Sequence, residues 1–343
     1  MDGTLKPILL GCAGLTLSLE ERGFFARANP LGFILFARNC DNPQQLRKLT
    51  RALRDAVGRA DAPIFIDQEG GRVARLKPPC WPKLPAAGAL GALYEKDWAA
   101  GAEAMRLHAT ITARMLTDVG IDGNCTPVLD LAIPNTSSVM GDRTFSSEPQ
   151  TIIALGLIAI KAYLHNGVLP IIKHMPGHGR VKVDPHEVLP FVDTDLATLQ
   201  AEDFVPFCSL AKEAPIGMNC HVVFRAIDPA LPVSLSRKAH DEILRGALGF
   251  DGLIFSDGLE MKALALPLEE LGVRALEAGA DVGLYCTGVL EENRAVCSAL
   301  PAMSEAALSR WAKAQSLKRP LEPQPQGQEF SSWLVSLNKL IPA

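Results

Sequence analysis

Short apolar runs recur along the chain, and most are followed by a stretch whose apolar residues fall at helical spacing. The runs are Ile8–Cys12, Gly32–Phe36, Ile64–Asp67, Asn124–Val128, Pro170–Lys173, Ile216–Cys220, Leu253–Ser256 and Val282–Tyr285. They lack strict alternation, as expected of strands buried on both faces. Helices are predicted over Gln44–Val57, with Asn42 as its cap, and over Asp97–Leu116, Ser147–His165, Leu196–Ala211, Ser236–Leu248 and Met261–Ala278. Eight strands alternating with helices predict an α/β fold, a closed parallel (β/α)8 barrel of the TIM type, over residues 1–300. An open doubly wound sheet is the competing arrangement. It is weakened because no Gly-rich dinucleotide fingerprint follows the first strand. After a last barrel helix (Leu290–Leu300), residues 301–343 are expected to add a helix (Ser304–Leu317), a Pro/Gln-rich strap (Pro320–Gln328) and a tail (Phe330–Leu340) packed on the barrel.

Composition narrows the function. At 343 residues, 48% hydrophobic and 21% charged, the chain has the make-up of an ordinary enzyme. A net charge of -4 provides no basic footprint, so neither nucleic acid nor an anionic membrane is an expected partner. None of the eight cysteines forms a C-x-x-C pair, and Cys12, Cys125, Cys220 and Cys286 sit in or beside strand-like runs. Buried reduced thiols in a cytoplasmic protein are expected rather than a disulfide framework or a zinc site. The stretch ILLGC resembles a lipoprotein cleavage box, but the apolar run before Cys12 is too short for a signal h-region of roughly 7–15 residues.

The chemistry falls at the strand ends. The fifth run leads into KHMPGHGRVKVDPH (Lys173 to His186), a loop broken by Pro176, Gly177 and Gly179 that carries His174, His178, Asp184 and His186. The third run ends in IDQEGGRVAR, with Asp67, Glu69, Arg72 and Arg75. The fourth ends at Asp130, followed by GDRTF with Asp142 and Arg143. The sixth ends in NCH with His221, and the seventh in FSDGLEM with Asp257. In a barrel these groups converge on one mouth. Carboxylates, Arg and Lys with few aromatics suit a hydroxyl-rich substrate such as a sugar. His174 and His178 with Asp184 match no common zinc spacing, so no metal is expected. Glu69 and Arg72 are read as a structural pair below the site, Asp130 and Asp142 as loop-ordering groups, and His221 as a supporting group. His108, His165 and His240 are assigned no role.

Taken together, LGFILFARN, PIFIDQEGGRVARL, GIDGNCTPVLDL, GDRTFS, KHMPGHG followed by DPH, GFDGLIFSDGLEM and EAGADVGLYC resemble glycoside hydrolase family 3. Within that family they are most similar to the single-domain β-N-acetylhexosaminidases of peptidoglycan recycling. The resemblance covers roughly residues 5 to 290. It implies that Asp257 is a nucleophile forming a covalent glycosyl–enzyme, that His186 is the general acid/base and that Asp184 is its partner. It also implies that Asp67, Arg75, Arg143, Lys173 and His174 hold a terminal N-acetylglucosamine. An imidazole with an ordinary pKa of about 6.5 can give and take a proton near neutral pH. Two departures stand out. The usual Ser-Asp-Asp is Ser256–Asp257–Gly258, and the small hydroxyl residue between the dyad partners is Pro185.

The expectation is an exo-acting retaining β-N-acetylglucosaminidase acting as a monomer on muropeptide fragments, with no cofactor. One alternative is a glycoside phosphorylase using the same site. The other is an inactive sugar-binding or sensor protein, suggested by Gly258 and Pro185.

Overall fold

The computed structural model describes residues 4–134, 140–182, 189–261, 264, 266–319 and 327–341. Eight parallel strands close into a barrel: β1 (Lys6–Leu10), β2 (Pro30–Leu35), β3 (Ile64–Ile66), β4 (Gly123–Asn124), β5 (Leu169–Met175), β7 (Ile216–Asn219), β9 (Leu253–Gly258) and β10 (Val282–Tyr285). Around the barrel the order is β1-β10-β9-β7-β5-β4-β3-β2, and β1 pairs β2 to close the ring. All eight predicted strands are present. The two remaining strands, β6 (Phe191–Val192) and β8 (Val223–Phe224), pair with each other outside the barrel.

The strands read as continuous apolar runs because each is buried on both faces. Leu9, Ile34, Phe65, Ile171, Ile216, Phe255 and Leu284 belong to one cluster. Their neighbours Ile8, Leu10, Phe33, Leu35, Ile64, Ile66 and Ile172 belong to a second cluster shared with the surrounding helices. Phe65 and Phe255 meet edge to face, their centroids 5.3 Å apart. Gly123 makes room for this, since a Cβ there would lie 2.2 Å from the Phe65 ring.

The helices are α1 (Leu19–Ala28), α2 (Pro43–Val57), α3 (Ala87–Lys96), α4 (Trp98–Asp118), α5 (Pro149–His165), α6 (Leu196–Ala201), α7 (Val205–Leu210), α8 (Leu268–Ala278), α9 (Leu290–Ser298), α10 (Glu305–Leu317) and α11 (Gly327–Leu340). Asn42 caps α2 as predicted, its side chain accepting from the Gln45 amide at 3.0 Å. The single helix predicted over Leu196–Ala211 is two short ones. Pro206 has no N–H to donate into the preceding turn, so α7 starts afresh there. The helix predicted from Met261 begins at Leu268, after Pro267. The helix predicted over Ser236–Leu248 is a wider, π-type coil over Ala239–Ala247.

Helix α10 lies at the N-terminal end of the barrel. Its Ala307 and Ala314 join the barrel-side apolar cluster, and Arg310 donates to Asp281 at 2.7 Å just before β10. Helix α11 packs on α4 and buries Leu337. The strap predicted at Pro320–Gln328 lies almost wholly outside the described residues.

Candidate active site

At the C-terminal ends of the strands is a cavity of about 340 Å³. Asp67, Arg75, Arg143, Lys173, His174 and Asp257 all line it, so these six residues predicted for the site come together. Asp184 and His186 lie outside the described residues, as does Pro185.

The wall beyond β3 is a folded-back turn. The amides of Glu69 and Gly70 both donate to the Val73 carbonyl, at 2.9 and 3.2 Å. Gly70 takes φ +103, and a Cβ there would meet the Pro85 carbonyl oxygen at 2.3 Å, so both conformation and space demand glycine. The buried Gln68 clamps the turn: its Oε1 accepts from the amides of Arg75 and Leu76 at 2.8 and 2.9 Å. That clamp returns Arg75 to Asp67, to which it donates at 3.1 Å.

Lys173, only 2% exposed on β5, lies between two carboxylates. Its Nζ is 3.0 Å from Asp67 and 2.7 Å from Glu69. Arg143 grips Glu69 with two bonds of 2.9 Å. Burial would raise the pKa of Asp67 and Glu69, but Lys173 with Arg75 or Arg143 overrides it and holds both below the usual carboxylate range. Burial would likewise lower the ammonium of Lys173, yet Glu69 and Asp67 keep it raised. This corrects one expectation. Glu69 does not pair with Arg72; it pairs with Arg143 and Lys173, while Arg72 bonds Asp142 at 2.9 Å. Both Glu69 and Arg72 line the cavity instead of lying below it.

Asp130, fully buried, orders the start of the loop after β5. It accepts from the backbone amides of His174 and His178, the latter at 2.6 Å. It also meets the His174 Nδ1 at 2.7 Å. Burial works against its charge, but His174 and these donors keep Asp130 below its ordinary pKa. An ionised carboxylate only accepts, so Nδ1 of His174 carries a hydrogen and the ring is oriented by Asp130. His178, beside it with ring centroids 5.5 Å apart, is pushed down to about 4 by burial and by His174.

Asp257 stands near the end of β9. The Asp257 amide donates to Asn219 Oδ1 at 3.3 Å, and the Gly258 amide donates to Asp257 Oδ1 at 2.8 Å. His221 donates from Nε2 to the Gly258 carbonyl at 3.0 Å and accepts from the Ser234 hydroxyl at 2.7 Å, fixing the backbone just after Asp257. Burial disfavours the Asp257 charge, but His174, His221 and the Gly258 N–H together hold its pKa below the ordinary value. The group is a carboxylate at neutral pH. Ser234, Asn219, Gln68 and Glu260 were not singled out from the sequence. Gln68, Asn219 and Glu260 carried a signal, lying within motifs already marked; Ser234 carried none.

Among the described residues, no group of three or more His, Cys, Asp and Glu side chains is arranged to hold a metal ion. All eight cysteines are free thiols.

Residues 17–314 match the glycosyl hydrolase family 3 N-terminal domain. The chain belongs to glycosyl hydrolase family 3. A β-hexosaminidase of Alkalilimnicola ehrlichii is 40% identical over 285 residues, 82% of this chain and 81% of that one. A β-hexosaminidase of Chromobacterium violaceum is 37% identical over 301 residues, 86% of this chain and 82% of that one. Native NagZ from Neisseria gonorrhoeae superposes with a TM-score of 0.88 at 30% identity, covering 99% of both chains. The same protein in complex with N-trifluoroacetyl-D-glucosamine gives 0.87 at 31% identity, covering 98% of both. The barrel is therefore that of a family 3 glycoside hydrolase, and the chain groups with β-hexosaminidases.

Proposed function

We propose that the chain is a cytoplasmic, retaining exo-β-N-acetylglucosaminidase that removes terminal N-acetylglucosamine from muropeptide fragments of the GlcNAc-anhydroMurNAc type. The observation that carries this reading is Asp257, a carboxylate held ionised at a strand end, facing a cavity whose other wall is the Asp67–Lys173–Glu69–Arg143 ion-pair chain.

That chain is built to bind hydroxyls. Asp67 accepts, Lys173, Arg75 and Arg143 donate, and His174 presents a ring oriented by Asp130, all prefixed by their mutual bonds. Asp257 attacks the anomeric carbon as the bond to the leaving oxygen breaks, and the His186 imidazolium protonates that oxygen. Water then attacks the glycosyl–enzyme ester, giving its proton to His186 and releasing Asp257. Asp184 orients His186. The acid/base assignment rests on the family pattern. An amino sugar as ligand is supported by the neisserial relative's complex, and the muropeptide by the resemblance to recycling enzymes. Eight free thiols favour a reducing compartment.

Release of 4-nitrophenol from its N-acetyl-β-glucosaminide tests the reading. Wild type should turn over, and Asp257→Ala should lose roughly 10⁴-fold or more in kcat. His186→Ala should lose about 10²-fold or more despite the good leaving group, because deglycosylation needs a base. Full activity in Asp257→Ala would refute the assignment. Turnover that requires phosphate and yields a sugar 1-phosphate would indicate the phosphorylase.

A further inference from the structure

Glu260 follows the end of β9 by two residues, and its half-buried side chain lines the cavity instead of extending into solvent. Two contacts fix its carboxyl. Oε2 accepts from the Cys286 amide, just beyond β10, at 3.1 Å. On the other side the carboxyl fills the space a side chain at position 258 would need. A Cβ added to Gly258 would lie 2.7 Å from Oε1 and 3.1 Å from both Cδ and Oε2.

Gly258 has no positive φ, so its backbone would accept other residues. The room there is taken by the end of the Glu260 side chain, which a larger residue would have to push aside. The departure noted in the sequence, a glycine after the nucleophile, is therefore matched by an acid two residues on whose carboxyl takes that volume. The two positions form one unit, and enlarging 258 evicts Glu260.

The electrostatics of the carboxyl point to a ligand. Burial, joined by the charge of Asp257, pushes it above the usual carboxylate range. Among the described residues it forms no ion pair; of the cations lining the cavity, Arg75, Arg143 and Lys173 pair with Asp67 or Glu69, and Arg72 pairs with Asp142. A carboxylate offers about four acceptor sites. The Cys286 amide and thiol and the Glu260 amide supply some of the donors, and a sugar with its anomeric carbon at Asp257 supplies donors for the acceptor sites that remain. Beside that carbon stand the C2 acetamido N–H and the C6 hydroxyl.

We infer that Glu260 is a sugar-binding residue, its carboxyl accepting a hydrogen bond from a donor flanking the reacting carbon, and that Gly258 exists to let it reach that place. This rests on the hexosaminidase reading above.

The test is kcat and KM on 4-nitrophenyl N-acetyl-β-glucosaminide for wild type, Glu260→Ala, Gly258→Ala and the double variant, with melting temperatures alongside. A charge-assisted bond predicts a 10- to 100-fold loss of kcat/KM in Glu260→Ala, to within order of magnitude. Gly258→Ala should lose a similar factor by displacing the carboxyl. The double variant should be no worse than about threefold below Glu260→Ala, since the clash is gone. On a 6-deoxy substrate, or on a 2-O-acetyl substrate lacking the amide N–H, wild type should lose activity where Glu260→Ala does not. The substrate that shows this identifies the donor. Glu260→Gln, nearly isosteric, carries the comparison if Glu260→Ala does not fold. Activity within twofold of wild type in Glu260→Ala, or simply additive losses in the double variant, would overturn the inference while leaving the hexosaminidase reading intact. If wild type itself releases no nitrophenol, the hexosaminidase reading fails instead. Calorimetric binding of N-acetylglucosamine by the same four proteins then decides on Glu260, and equal affinities overturn it.

Discussion

At the scale of single residues, the site depends on groups that never leave the protein interior. Asp130 fixes the orientation of His174, and Gln68 returns Arg75 to Asp67. Asp257, Lys173 and His174 were legible because each ends an apolar run in a recognisable motif. The pairing of Glu69 with Arg143 was not, since it joins residues 74 positions apart and no local pattern encodes it. Burial also sets a pH signature. His108 on α4 and His178 are each pushed down to about 4 by burial, from an unfolded value near 6.5. Between those values the unfolded chain binds more protons. The stability contributed by the neutral rings is therefore complete above about 6.5 and is lost as pH falls toward 4. The depressed carboxylates Asp67 and Glu69 act in a lower window, keeping their contribution until pH drops below about 4. Thermal or urea unfolding from pH 7 to 4 should show this decline. His108→Gln should flatten it by about one proton, about 1.4 kcal/mol per pH unit. An unchanged slope in His108→Gln would contradict it.

At the scale of elements, the strands were read correctly because burial on both faces makes each one an unbroken apolar run. Helix α1 was missed because its apolar face is weak: Leu19 is 87% exposed and only Phe24 and Phe25 among its apolar residues are buried. Its signal was the capping box, Ser18 with Glu21. The β6–β8 pair has no signal because each strand is two residues long and, unlike β4, neither overlaps one of the apolar runs; Phe191 is exposed. The turn after β3 is the element that holds Arg75 against Asp67. Gly70→Ala should displace it, since the new methyl would press on the Pro85 carbonyl at a φ of +103. The expected outcome is a loss of about tenfold or more in kcat/KM, since a displacement near 1 Å can cost about 100-fold. Circular dichroism should show the barrel retained. Unchanged kinetics would mean that Asp67 and Arg75 do not need this turn.

At the scale of the whole molecule, the barrel brings the ends of β3, β5 and β9, separated by nearly two hundred residues, onto one cavity. The alternation of strand and helix made this convergence legible, and with it the proposal of one mouth. What the alternation could not convey was the division of that mouth. One wall is a chain of paired charges, proposed to bind the sugar hydroxyls, and the other carries Asp257 and Glu260. The central claim is that Asp257 attacks the sugar. Its most direct test is mass spectrometry of the protein after reaction with 5-fluoro-N-acetylglucosaminyl fluoride, which slows hydrolysis of a covalent intermediate. The account predicts a single hexosamine adduct on the peptide containing Asp257, absent in Asp257→Ala. An adduct on any other residue, or none while the wild-type enzyme turns the reagent over, would contradict it.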